Sequence, residues 1–201
     1  MKRSSVKASS VKPSLAIAIC LATLVFVVCI SSPAFAGSRA NASRPDDAAA
    51  DYCVASGGEV EARSPYFNTN DDPTNWLRLA GSRKFCQFTA HDGSRIHVLL
   101  STLYSTKPTL AALAYYAKVQ LGECNGNPAS CYCSQLGGTD LFGGINLNGG
   151  GWVLMGAIDE VLEACIFPDM SSIDSWGLAY HSADIVRGKN LNKVLRFKNP
   201  Y

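Results

Sequence analysis

The sequence predicts an α+β protein of two tandem small modules, each a short helix followed by antiparallel strands and held by a disulfide. Three observations lead there. A Tyr-Cys-x-x-x-Gly-Gly run occurs twice, at 52–58 and again at 132–138, an offset of 80 residues. Each run is followed 32 or 33 residues later by another cysteine, Cys86 after Cys53 and Cys165 after Cys133. Between these markers, short apolar pieces bounded by Gly, Asn and Asp alternate with brief helical signals, the pattern of hairpins beside helices.

The first 36 residues read as an address rather than as part of that fold. Met1–Ser14 carries Lys2, Arg3, Lys7 and Lys12 with no acid, and Leu15–Ile30 is apolar apart from Thr23. Pro33 then breaks the run, and Ala34-Phe35-Ala36 supplies the small residues of a cleavage site. This is the layout of a secretory signal cut after Ala36, and the apolar run is shorter than the ~20 residues that span a bilayer. No later stretch is apolar enough to span one. Residues 37–44 form a polar lead-in, 45–121 the first module and 122–201 the second.

Removing the signal changes the electrostatics. Of 18 Lys and Arg four leave, so 14 − 16 acids = −2 for the exported chain. The Arg187, Lys189, Lys193, Arg196, Lys198 tail is too loose for a nucleic-acid footprint and reads as a solvated C-terminus. Cys20 and Cys29 leave as well, so six cysteines remain: Cys53, Cys86, Cys124, Cys131, Cys133 and Cys165. An even set in an exported chain reads as a disulfide framework. No C-x-x-C pair and no neighbouring histidine supports a zinc or haem site, so no metal or cofactor is expected.

The elements follow in order. Asp46 or Asp47 caps a helix through Ala48-Ala49-Ala50 that Gly57 ends, placing Cys53 in its last turn. Strand-like pieces are Glu59–Arg63, Trp76–Leu79, Lys84–Phe88 and Arg95–Leu100. A longer helix starts near Pro108, carries Leu110, Leu113, Ala117 and Leu121 at helical spacing and stops at Gly122. In the second module Asn127 caps and Pro128 opens a helix that Gly137 ends. Gly151–Ala157 and Leu162–Phe167 are its strands, and Ile173–Asp184 is a weaker helix. The glycine-rich 137–156 stretch matches neither phosphate-binding glycine pattern and reads as a hairpin connection.

The two runs extend into a repeat. Phe85-Cys86-Gln87-Phe88 matches Ala164-Cys165-Ile166-Phe167, and Asp92-Gly93-Ser94-Arg95-Ile96 matches Asp169-Met170-Ser171-Ser172-Ile173. A repeat pairs each cysteine within its own copy, Cys53 with Cys86 and Cys133 with Cys165. Cys124 and Cys131 are left to bridge the turn at Asn125–Pro128. Long-loop bridges of this size contribute about 3–4 kcal/mol each.

The run Asn127-Pro128-Ala129-Ser130-x-Tyr132-Cys133 with Gly137-Gly138, then Cys165-x-Phe167-Pro168-Asp169 and Ile173-Asp174-x-Trp176, resembles a small exported bacterial domain of unknown function that carries a haemolysin label. The match covers Asn127–His181 and, more loosely, Ala48–Tyr104. The resemblance implies a compact exported domain with a paired cysteine, and it brings no catalytic residues.

No catalytic constellation stands out. His97 lies in an apolar strand, His91 beside a turn, and no Gly-x-Ser-x-Gly elbow accompanies the serines. Asp71-Asp72 and Asp159-Glu160 read as solvated turns rather than an acid/base pair. The candidate partner-binding surface is Asp169, Asp174, Trp176, Tyr180 and His181, with Trp176 alternatively a core plug under the Cys133–Cys165 bridge. The expected role is a non-enzymatic binding or cell-envelope interaction with an unidentified protein or envelope component. An exported hydrolase of envelope polymers and a membrane-perturbing protein are the alternatives.

Overall fold

The computed structural model describes residues 45–140 and 148–199. The expected signal at 1–36, the 37–44 lead-in and Gly143-Gly144 of the glycine-rich stretch lie outside the described residues.

Among the described residues the chain order is α1 (Pro45–Ala55), β1 (Glu59–Phe67), β2 (Leu77–Arg78), β3 (Arg83–Thr89), β4 (Arg95–Leu99), α2 (Leu100–Tyr104) and α3 (Leu110–Ala117). Then come α4 (Pro128–Gln135), β5 (Thr139–Asp140), β6 (Gly150–Leu154), β7 (Ala157–Leu162), β8 (Ala164–Ile166), β9 (Ser172–Asp174) and α5 (Ser175–Ser182). The strands form one curled antiparallel sheet in the order β5-β8-β9-β4-β3-β1-β6-β7, with β2 on β1. The strands of residues 45–121 thus lie between two groups from residues 122–201.

Strand alternation sorts the side chains. One face turns Cys86, Phe88, Ile96, Val98, Cys165 and Ile173 toward the helices, into a core with Leu103, Tyr115, Tyr132 and Leu178. The other face carries Phe85, Leu99, Trp152, Leu162, Ala164 and Ile166, and beside them Glu61, Arg63, Gln87, His97 and Asp174, all buried.

Two stretches share their local geometry. Gly57 and Gly137 sit at φ +80° and +81°, and Gly58 and Gly138 donate to the carbonyls of Cys53 and Cys133 at 3.0 and 2.9 Å. A Cβ at Gly58 would meet Cys86 Sγ at 2.4 Å, and one at Gly138 would meet Cys165 Sγ at 2.4 Å. Only glycine fits a disulfide packed that closely against the chain. Both downstream hairpins turn alike: Gly93 N donates to Ala90 O, and Met170 N donates to Phe167 O. Asp92 and Asp169 each accept from the backbone N–H two residues on. Val98 and Ile173, which face Cys86 and Cys165 across their hairpins, pair with each other where β4 meets β9.

All three expected bridges are present: Cys53–Cys86, Cys124–Cys131 and Cys133–Cys165. Several element limits differ from expectation. The long helix ends at Ala117 because Lys118 turns left-handed, at φ 48°, and pairs with Asp184. The strand expected to run to Leu100 stops at Leu99 and α2 follows. The helix expected from Ile173 starts at Ser175, because Ser172–Asp174 joins the sheet as β9. The basic tail keeps Lys193 and Lys198 exposed but is packed down by its apolar residues. Leu191 and Leu195 are fully buried, Arg196 stacks on Tyr104 at 4.0 Å, and Lys189 donates to Ser56 O.

Candidate functional site

The antiparallel register through Val98 and Ile173 sets His97 of β4 opposite Asp174, the last residue of β9. Gln87 is His97's cross-strand partner on β3. His97 Nδ1 lies 3.4 Å from Asp174 Oδ2, and its Nε2 lies 2.9 Å from Gln87 Oε1 and 3.4 Å from Glu61 Oε2. Oxygen acceptors at both ring nitrogens favour the doubly protonated imidazolium, opposed by the Arg63 guanidinium 3.3 Å from Nε2. Burial alone would depress the His97 pKa, but the Asp174 and Glu61 hydrogen bonds outweigh it and hold it above the ordinary histidine value. Glu61 shows the mirror effect: burial pushes it up, while His97 and Arg63 bring it below the ordinary carboxylate value.

Arg63 lies at the centre of this floor, 1% exposed. Its Nε donates to Glu61 Oε2 at 2.8 Å, and Nη1 donates to the carbonyls of Trp152 and Glu160 at 3.2 and 3.1 Å. Nη2 meets Glu61 Oε2 at 2.7 Å and faces His97 Nε2 at 3.3 Å. The desolvation of this buried guanidinium is offset because nearly every donor has an acceptor.

Above the floor a cleft of about 250 Å³ opens between β4, β7 and the start of α5, extending to Arg187. Arg95 pairs with Glu160 at one side. Trp176, half-buried, packs on Tyr180 with ring centroids 5.9 Å apart, and the Arg187 guanidinium lies 5.1 Å from the Tyr180 ring. Glu163 accepts from Asn127 Nδ2 at 3.1 and 3.0 Å. Burial first, then the charge of Asp140, push its pKa up. Asn127 also caps α4 through the Ala129 N–H, so one residue both starts a helix and clamps a cleft carboxylate. Asp174 likewise caps α5, its Oδ1 accepting from Gly177 N at 2.9 Å.

The five residues expected on one partner surface are placed differently from one another. Trp176 and Asp174 line the cleft, Asp174 from its buried floor. Tyr180 is exposed beside them. Asp169 is in the β8–β9 turn, where it accepts from Leu110 N at 2.8 Å and from Ser171. His181 is buried against Tyr115, rings stacked 3.8 Å apart, with Nδ1 unpartnered. Its pKa is lowered by burial and by Lys118. Trp176 is no core plug under the bridge: that core is filled by Tyr132, Phe167 and Leu178.

Sequence reasoning missed Glu61, Arg63 and Gln87, saw His97 only as a residue of an apolar strand, and read Glu160 as part of a solvated turn, whereas it lies in β7 and pairs with Arg95. The available signal was polar residues two apart within apolar strands, Glu61/Arg63 and Arg95/His97, which share a sheet face. Among the described residues no group of three or more His, Cys, Asp or Glu is placed to hold a metal, and no helix is long and apolar enough to cross a membrane. No protein-family model matches this chain, and neither a curated protein nor a solved structure matches it.

Proposed function

We propose that the chain is an exported, disulfide-stapled, non-enzymatic binding protein of the cell envelope, made of two copies of one module, whose cleft between β4, β7 and α5 takes a small polar ligand. The observation that carries this reading is the saturation of the floor. His97, Arg63, Glu61 and Asp174 are engaged with one another, which leaves no floor group facing an occupant as a general base needs to. Mutually locked side chains under a rim of Trp176, Arg95 and Arg187 make a rigid receptor instead. Its volume lies below the ~300–1,000 Å³ of pockets for drug-sized ligands, which speaks against a nucleotide cofactor. Three bridges suit an oxidising compartment, in keeping with the basic and apolar start of the chain.

The test is thermal unfolding of the oxidised protein with envelope oligosaccharides and peptides, followed by chromatography of each mixture. A ligand that raises Tm and is recovered intact supports the reading; a ligand converted to product overturns it. One observation favours a hydrolase instead: Glu163, with its pKa raised, lies in the cleft as an acid would. A cleavage product lost in Glu163→Gln would establish that alternative.

A further inference from the structure

We propose that the cleft selects an acidic sugar unit, its ring face on Trp176 and its carboxylate on Arg187. This rests on the cleft being a binding site and adds the chemical class of what it binds.

The argument is an accounting of charges. Of the three arginines lining the cleft, Arg63 is saturated by Glu61 and two carbonyls, and Arg95 is paired with Glu160. Arg187 is the third. Among the described residues it has the Tyr180 ring at 5.1 Å and no carboxylate within ion-pair distance. A guanidinium that lies over a ring without an ionic partner has N–H groups to offer, and its fork matches a carboxylate in bidentate fashion. The cleft carboxylates do not cancel it. Glu160 is committed to Arg95 and Asp174 to His97 and the α5 cap. Glu163 is held by Asn127 and shifted toward its neutral form.

The class of anion follows from the rim. Trp176 is half-buried and tilted 35° against Tyr180, an aromatic platform next to the free cation. The apolar C–H face of a pyranose ring stacks on such a platform, while its carboxylate lies to one side. The volume of about 250 Å³ admits one ring-sized unit. An acidic peptide would instead add its backbone to an open strand edge. Of the cleft walls, β4 and β9 are paired on both sides, and only β7, which ends the sheet, presents such an edge, so a peptide is an outcome the test distinguishes. With a net charge of 14 − 16 = −2 after signal removal, long-range steering does not favour polyanions, so selectivity comes from the local contact.

Isothermal titration of the oxidised, exported protein with trigalacturonate and with neutral galactotriose tests this. Trigalacturonate is expected to bind about tenfold more tightly, the size of one charge-assisted contact. Arg187→Gln should erase that preference, and Trp176→Phe should weaken both sugars while keeping it. Equal binding of the two trimers overturns acid selectivity and leaves the cleft reading standing. Binding of neither overturns the acidic-sugar proposal, and the cleft reading is then decided by the ligand screen of the proposed function. A preference that survives in Arg187→Gln, or binding of an acidic peptide in place of either trimer, also overturns the proposal.

Discussion

Residues 45–104 and 128–182 follow the same course of helix, glycine pair, strand, hairpin and helix, and they differ most where each leaves that course. In the first, residues 68–82 fold back on β1 through β2 and a short 3-10 helix at Pro73–Asn75, tied by Asp71, Asp72, Asn68 and Asn75. In the second, the corresponding excursion is the β6–β7 hairpin, which crosses to pair with β1 and brings Glu160 and Glu163 to the cleft. The strands at the junction differ too. The β4–β9 register sets His97 against Asp174 on one side of Val98–Ile173 and Leu99 against Ser172 on the other. One side is an ionic network; the other is apolar, with Ser172 Oγ buried and unpartnered. Similar frames thus carry different surfaces, and the differences, not the shared geometry, build the candidate site.

That contrast can be broken by mutation. On the polar side, Glu61→Gln leaves Arg63 buried with only the Glu160 carboxylate, 3.7 Å away, and should cost about 3 kcal/mol. On the apolar side, Ser172→Ala removes a hydroxyl without a partner and should be neutral or slightly stabilising. Urea unfolding measures both, and similar costs would mean that the two sides are energetically alike. The bridges test the shared frame. Cys53–Cys86 and Cys133–Cys165 close loops of 33 and 32 residues, so the two double-alanine variants should each lose about 3–4 kcal/mol. A gap larger than about 1 kcal/mol would show that the native settings, β1 in mid-sheet and β5 at the edge, outweigh the unfolded-chain effect.

A smaller effect lies in the two hairpin turns. Gly93 at φ +80° and Met170 at φ +65° occupy the same turn position. A left-handed non-glycine residue is strained by about 1–2 kcal/mol, so Met170→Gly should stabilise by about 0.5–1 kcal/mol after the glycine entropy cost. Gly93→Met should destabilise by a similar amount.

The pH response is the finest probe. His97 has a raised pKa, so its stabilisation is complete below its unfolded value of about 6.5 and is lost as pH rises through the higher folded value. Glu61, with its pKa lowered, works oppositely: its share is present above its unfolded value of about 4.3 and is lost as pH falls through the lower folded value. The Tm difference between the native protein and His97→Gln should therefore shrink from pH 6 to pH 9. Taking this difference cancels His181, whose lowered pKa acts in the reverse sense. A constant difference would mean that His97 is neutral in the folded protein.

Much of the frame was legible because local chemistry dictates it. Asn127-Pro128 opens α4, and the glycine pairs mark where a chain must pass a disulfide. The cysteine spacing gave all three bridges. The candidate site was less legible because it is a register effect. His97 gains its role only when β4 is placed beside β9, and Arg63 only when β6 and β7 arrive across β1 with their carbonyls. Trp176 was visible as a residue of interest, but its setting depends on Asp174 ending β9 and capping α5 at once. The basic tail misled because its charges hide Leu191 and Leu195, which anchor it.

The most direct test of the cleft is a 15N NMR titration of the oxidised protein with trigalacturonate. Shifts of the Trp176 indole N–H and of the Arg95 and Arg187 signals, saturating together, are predicted. Shifts confined to the apolar groove between α3 and α4, near Leu113 and Leu136, or none at all, would contradict it.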